Sequence, residues 1–265
     1  MKRQAYPTDL TEAEWEIVGR LIPPAKPGGR PRRVDIREVL NALVYVLRSG
    51  CAWRYVPHDF GIPWPTVHYY MRRWRDDGTL EAINSNLRGQ VRKEAGKEAT
   101  PSAAIVDSQS VKTTEKGGGR GCDAGKQVKG RKRHLLVDTL GLVWAVVVHP
   151  ANIQDRDGAR LVLDKVKGML PRLQLIWVDG GYAGEFVEWA AKVFSWVVEV
   201  VSKPKDTKGF VLLPHRWIVE RTFAWLGRYR RLSKDYEFHP KTSEAMIHLA
   251  MIHIMTRRLA RQGAC

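Results

Sequence analysis

The sequence predicts an α/β protein: a mixed sheet with helices on its faces, preceded by an all-helical region. Three observations predict it. Residues 9–94 carry apolar side chains at helical spacing between helix start and stop signals. From residue 103 onward, short runs rich in Val, Ile and Leu are bounded by Gly or polar residues and read as strands. The first three strands look antiparallel, and the later ones alternate with amphipathic stretches, which implies crossover connections.

The elements follow in chain order. In "TEAEWEIVGRLIP", Thr11 with Glu14 three residues on is a capping-box signature, and Pro23-Pro24 stops the helix. "AKPGGRPRR" (25–33) is a basic Gly/Pro loop. Asp35 caps "IREVLNALVYVLRSG", and Gly50 ends it. "CAWRYVPHDFG" is a short turn, and "PWPTVHYYMRRWRDDG" (63–78) a further helix. Helix, turn and a second helix with exposed arginines is helix-turn-helix organisation, in which Thr66, His68, Tyr69, Arg72, Arg73 and Arg75 would face a major groove. The polar stretch at 88–102 reads as a connector, so residues 1–94 form a DNA-binding region, 95–102 the link, and 103–265 the second domain. There, 103–111 is a strand, 133–150 a hairpin broken at Thr139-Leu140-Gly141, and 155–170 a helix. "LQLIWVDGGYAG" is a strand with a Gly turn, "EFVEWAAKVF" a helix and "WVVEVV" a strand; 214–228 and 242–261 are helices.

Charge narrows the function. The chain has 265 residues, a formal net charge of +16 and an isoelectric point near 10.0, values typical of proteins that meet nucleic acid. No apolar run approaches the ~20 residues of a membrane span, and "MKRQAYPTDLTEAEWE" lacks a signal-peptide core. Cys51, Cys122 and Cys265 make neither a metal spacing nor a disulfide framework. A cytoplasmic, nucleoid-associated location is expected, with no membrane and no small-molecule cofactor.

Three acids stand out. Asp107 ends the apolar run 103–106 and Asp179 ends the run 175–178, where ligand sites of open sheets lie. Glu220 sits in "PHRWIVERTFAWLGRYRRL", a stretch with five arginines and no other acid. On a helix it lies opposite the apolar arc, above Ala224 and Gly227, which leave room for an approaching group. Three carboxylates from two strands and a helix are suited to two Mg²⁺ or Mn²⁺ ions per site, which prefer hard oxygen ligands and phosphate.

These residues resemble a known family. "VDSQSVK", "KGRKRHLLVDTLGL", "VDGGYAG" and "RWIVERTFAWLGRYRRL" are similar to the DDE transposases of bacterial insertion sequences, insertion-sequence-five-like group, whose catalytic fold is ribonuclease H-like. "LTEAEWEIVGRLIP" and "CAWRYVP" resemble that group's helical N-terminal region. The resemblance implies a catalytic and metal-binding triad of Asp107, Asp179 and Glu220. It implies cleavage and strand transfer of double-stranded DNA, with element ends and target DNA as partners and a homodimer or higher oligomer at work. Arg216 matches the family's Arg before the glutamate, whereas Leu213 and Gly227 stand where its Tyr and Lys fall. Only 40 residues separate Asp179 from Glu220, too few for the large insertion of some relatives.

Further DNA contacts are expected from Arg72, Arg73, Arg75, Lys112, Lys129, Arg131, Lys132, Arg133, Arg216, Arg221 and Arg228. Lys112 to Arg133 belong to a Gly-rich stretch, 111–134, with eight Lys/Arg against two acids. Asp123 and Asp138 read as structural, Asp155 and Asp157 as helix caps, and Glu185, Glu188 and Glu244 as the alternatives for the third carboxylate. His248 and His253 read as packed. Two other functions fit the same residues: a ribonuclease H-like nuclease that does not join strands, and a helix-turn-helix repressor with an inert second domain.

Overall fold

The computed structural model describes residues 3–25, 28, 32–115, 117–202 and 214–263. Leu213, Cys265 and part of the loop at 25–33 lie outside them.

The helical region begins with α1 (Glu12–Gly19), held by the expected capping box: the Glu14 amide donates to Thr11 Oγ and the Thr11 amide to the Glu14 carboxylate, each at 3.2 Å. Asp35 accepts from the Arg37 amide at 2.8 Å to start α2 (Ile36–Ser49), which ends where Gly50 turns left-handed. Residues 50–63, with two 3-10 turns, then lead to α3 (Trp64–Asp76). That connection is longer than the 3–4-residue turn of a helix-turn-helix. The tight turn comes after α3 instead, where Asp77 and Gly78 lead into α4 (Thr79–Glu94). α4 therefore runs through half of the stretch expected to be a connector. Its Arg88 and Arg92 are buried, donating to the Val143 carbonyl (2.9 Å) and to Asp138 (2.6 Å).

The sheet is built from β1 (Ala103–Lys112), β2 (Gly121–Asp123), β3 (Val128–Asp138), β4 (Val143–Pro150), β5 (Leu175–Asp179) and β6 (Val197–Val201). Both β2 and β4 pair with one edge of β3, β1 lies on its other edge, and β5 and β6 follow. β3 runs antiparallel to β1 and β4, while β1, β5 and β6 are mutually parallel. The five long strands thus lie in the order third, second, first, fourth, fifth along the chain, with only the second reversed: the ribonuclease H-like arrangement.

Helices α5 (Asp155–Lys165) and α6 (Glu185–Phe194) cover one face, burying Val162, Leu163, Phe186 and Ala190 against Val106, Ile176 and Val178. α7 (Arg216–Gly227) and α8 (Pro240–Gln262) cover the other. On that side a single apolar core runs from Ile105, Val137 and Trp177 through α7 and α8 to Leu43 and Leu47 of α2 and Leu87 of α4. α8 is the centre of this core, buried on nearly every side.

Candidate active site

Strand register brings the two aspartates together. β1 and β5 are adjacent and parallel, with Ala103 opposite Leu175 and Ile105 opposite Trp177. Two residues further, the same register sets Asp107 level with Asp179. Side chains alternate across a sheet, so both aspartates share the face of Ile105 and Trp177, the one α7 covers.

α7 brings the glutamate. Its first turn is anchored by His215, whose ring stacks on Trp177 at 3.9 Å and 10°. His215 adopts a φ of 64°, a conformation uncommon for any residue with a Cβ. The helix buries Ile218, Val219, Thr222, Phe223 and Leu226 and leaves Glu220, Ala224 and Gly227 exposed, as its periodicity predicts. Trp225 is half-buried.

The three acids meet at one guanidinium. Arg216 Nη2 lies 3.6 Å from Asp107, 3.6 Å from Asp179 and 3.8 Å from Glu220. The acids form a gradient from core to solvent, their side chains being 13%, 31% and 57% exposed in that order. Burial pushes the Asp107 carboxyl up to about 6, against the Ser108 amide, which donates to it at 2.7 Å; the Asp179 charge adds to the rise and the Arg216 charge opposes it. Asp179 accepts from the Gly181 amide at 2.8 Å, which fixes the Gly turn. With Arg216 between them, the carboxylates stand apart: among the described residues, no three His, Cys, Asp or Glu side chains close on one metal-ligating point.

Behind Asp107 lies a polar cluster that sequence reasoning missed. Ser108 Oγ donates to Asp155 at 2.9 Å, and Lys132 Nζ lies 3.0 Å from the same carboxylate. Asp155 opens α5 but turns its side chain to the sheet, so it does not cap the helix as expected. His134 and His149 stack beside it, with their ring nitrogens 2.9 Å apart. Burial and the Asp107 charge push the Tyr182 phenol well above its ordinary value, so it remains protonated. Its sequence signal is slight: His134 just before an apolar run, His149 just after one, and Tyr182 in the Gly turn.

The expected DNA contacts divide. Arg131, Lys132 and Arg133 face inward, and for them the expectation is corrected. Arg131 donates to the Gly119, Glu237 and Phe238 carbonyls and pairs with Asp235 at 3.3 Å. Lys132 holds Asp155 and the Ile153 carbonyl, and Arg133 holds the Leu232 and Lys234 carbonyls. Arg75 ties α3 to α8, donating to Asp76 and to Thr242 at 2.6 Å. Arg221 donates to the Leu140 carbonyl and lies over the rings of Trp217 and Trp225, so it too is engaged internally. Arg72, Lys112, Lys129 and Arg228 are exposed; Arg73 is half-buried, 3.7 Å from Asp77. Glu244 is held by the Val148 amide and Lys165, and Glu185 and Glu188 are exposed on α6. Asp123 and Asp138 are buried structural acids, as expected.

The strand order and the acids it gathers define a ribonuclease H-like fold with an acidic site at one end of α7. The chain belongs to the family described as "Transposase DDE domain", whose model matches residues 98–255. A second family model, "Putative transposase of IS4/5 family", matches residues 10–84. The chain is similar to the "Putative transposase for insertion sequence element IS402" of Burkholderia cepacia, 29% identical over 139 residues, which are 50% of this chain and 65% of that protein. It thus spans about two thirds of that relative's length. The "Uncharacterized protein y4sN" of Sinorhizobium fredii is 27% identical over 110 residues, 42% of this chain and 81% of that one. Among solved structures, the "Crystal structure of the Mos1 Strand Transfer Complex" gives a TM-score of 0.31 at 12% identity, covering 88% of this chain and 78% of that one. The fold assignment rests on strand order, not on that likeness.

Proposed function

We propose that this chain is a DNA transposase that binds the terminal inverted repeats of its own element, cleaves there, and joins the freed ends to target DNA at Asp107, Asp179 and Glu220. The observation that supports this is the convergence of three carboxylates, from β1, β5 and α7, on one guanidinium. Hard oxygen donors surround a positive charge, here supplied by Arg216, which supports reading the three carboxylates as cation ligands once Arg216 is displaced. Asp107, Asp179 and Glu220 would hold two divalent ions, Mg²⁺ or Mn²⁺. When bound, such ions activate the attacking oxygen and stabilise the leaving oxygen of a phosphodiester.

The chain's own groups have distinct tasks. Asp107 is costly to ionise where it lies, so it favours a bound cation. Arg216, freed from the carboxylates, offers a planar fork that grips and orients the scissile phosphate. Arg73 on α3, with Arg32 and Arg33, borders a groove of about 740 Å³ beside exposed Tyr69; with Arg72, exposed on the same helix, this is the surface proposed for the element's end. Water attacks first, and the released 3′-hydroxyl attacks the target. One site per DNA end implies at least a dimer. No helix among the described residues is long and apolar enough to cross a membrane, and a nucleoid-associated location is part of this proposal.

The test uses DNA carrying the element's end. Asp107→Ala, Asp179→Ala and Glu220→Ala each abolish cleavage while DNA binding is largely retained, and each weakens Mn²⁺ binding measured by calorimetry. A Glu220→Ala protein that still cleaves removes Glu220 from the site. Cleavage without joined products by the unaltered protein reduces the reading to a nuclease.

A further inference from the structure

A second basic surface lies at the far end of α7. Arg228 lies twelve positions beyond Arg216, so at ~1.5 Å per residue their backbones stand about 18 Å apart along the helix, too far to share one phosphate. Arg228 instead borders a groove of about 450 Å³ with Arg48 of α2 and Arg257, Arg258 and Arg261 of α8. Trp225, Tyr229, Ile254 and Gln262 complete its lining.

We propose that this groove is a binding site for the phosphodiester backbone of DNA, separate from the carboxylate site. Three observations carry it. The first is uncompensated charge. Arg257 lies 3.5 Å from Glu14, but among the described residues Arg48, Arg228 and Arg258 have no carboxylate within ion-pair distance. Gathering like charges on one face costs stability unless a polyanion neutralises them. The second is preorganisation. Arg258 and Arg221 both lie over the Trp225 ring, at 5.3 and 4.7 Å, and Arg48 lies over Tyr229 at 5.2 Å while donating to the Arg228 carbonyl at 3.2 Å. Guanidinia held in place lose less freedom when they grip a phosphate. Burial, with the Arg221 charge adding and the Asp138 charge opposing, pushes Arg258 below its ordinary value. The third is placement. α7 joins the groove to the acids as a rigid spacer, and about 18 Å corresponds to roughly five base pairs at ~3.4 Å each. The groove would hold the duplex to one side of the cleaved bond. This inference rests on the reading that the chain handles DNA, though not on where or whether it cuts.

The experiment is a salt titration of binding to a labelled 30-base-pair DNA duplex of arbitrary sequence, without divalent metal. Each phosphate contact contributes ~0.9 to the slope of log K against log salt. Arg228→Gln with Arg258→Gln is expected to flatten the slope by about 1.8 and to weaken binding at least fivefold at 0.1 M salt. Lys93→Gln with Lys192→Gln, an equal loss of charge at exposed positions elsewhere, leaves the slope unchanged. If Arg258→Gln lowers the melting temperature, Arg228→Gln alone carries the test, with a slope change of about 0.9. An unchanged slope, or equal flattening by the lysine pair, overturns the proposal, as does a change seen with an RNA duplex but not with DNA. Absence of cleavage in the unaltered protein would sink the proposed function and leave this result standing.

Discussion

Arg216 is the residue on which the acidic site turns. Its single positive charge lies within ion-pair distance of three carboxylates, one of them mostly buried, so its loss leaves like charges facing one another. Arg216→Ala is expected to destabilise the metal-free protein at neutral pH by about 1–3 kcal/mol. Added Mg²⁺ restores more melting temperature in this variant than in the unaltered protein. Melting curves with and without Mg²⁺ check this; identical Mg²⁺ shifts in the two proteins would contradict it. The same variant slows single-turnover cleavage more than it weakens DNA binding, because misplacing a reacting phosphate by ~1 Å costs about 10²-fold. His253 sets a pH limit. Burial, with the Arg257 and Arg48 charges adding, pushes its imidazole down to about 4. Between about 6.5 and about 4 the unfolded chain therefore binds more protons, and stability falls as pH drops through that window. The shift corresponds to about 3 kcal/mol at its full extent. His253→Gln flattens this part of the stability–pH curve; buried His134, pushed down to about 3, keeps it from vanishing.

At the scale of elements, β3 shows what sequence can and cannot convey. Periodicity placed most helices and strands within a few residues, because burial of one face leaves a readable pattern, but α4 and β2 were not placed. The capping box of α1 and the exposed face of α7 were legible for the same reason. The run "RKR" at 131–133 was not. Its charge is plain in sequence, but the carbonyls that receive it come from residues 119, 153, 232, 234, 237 and 238, mostly far along the chain. Arg131→Ala is therefore expected to lower stability by about 3–5 kcal/mol, as for a broken buried ion pair, with no change in the salt slope of DNA binding. Urea unfolding and the salt titration together decide it; a stable protein with a flattened slope would restore Arg131 to the DNA surface. β3 also tolerates no side chain at Gly130, where a Cβ would overlap the Val111 carbonyl oxygen. Gly130→Ala should part β1 from β3 next to Lys112, lowering the denaturation midpoint. The two aspartates were legible as strand ends, but their common level depends on the pairing of β1 with β5, across about 70 residues of chain that periodicity cannot order.

For the whole molecule, the helical region and the sheet share one core, with α8 packed between them. Residues 103–265 alone would expose the α8 surface that α1, α2 and α4 cover. That fragment is expected to aggregate or melt without a cooperative transition, as seen by circular dichroism; a sharp two-state transition would show that the helical layer is dispensable. The polarity of 95–102 is plain in sequence, but the packing across it is not, because it depends on Arg88 and Arg92 entering the protein. This shared core bears on how such chains can diverge. A helical layer joined by a loose tether can be traded for another, whereas this one is interlocked with α8. A chimera that takes residues 1–94 from a relative inherits a mismatched seat, and one that takes 240–262 along with them keeps the fit. On the proposed reading, in which α3 meets the element's end, changes in preferred DNA should therefore arise by substitution on the outer surface of α3, or by paired changes in the helical layer and α8, and not by exchange of residues 1–94 alone.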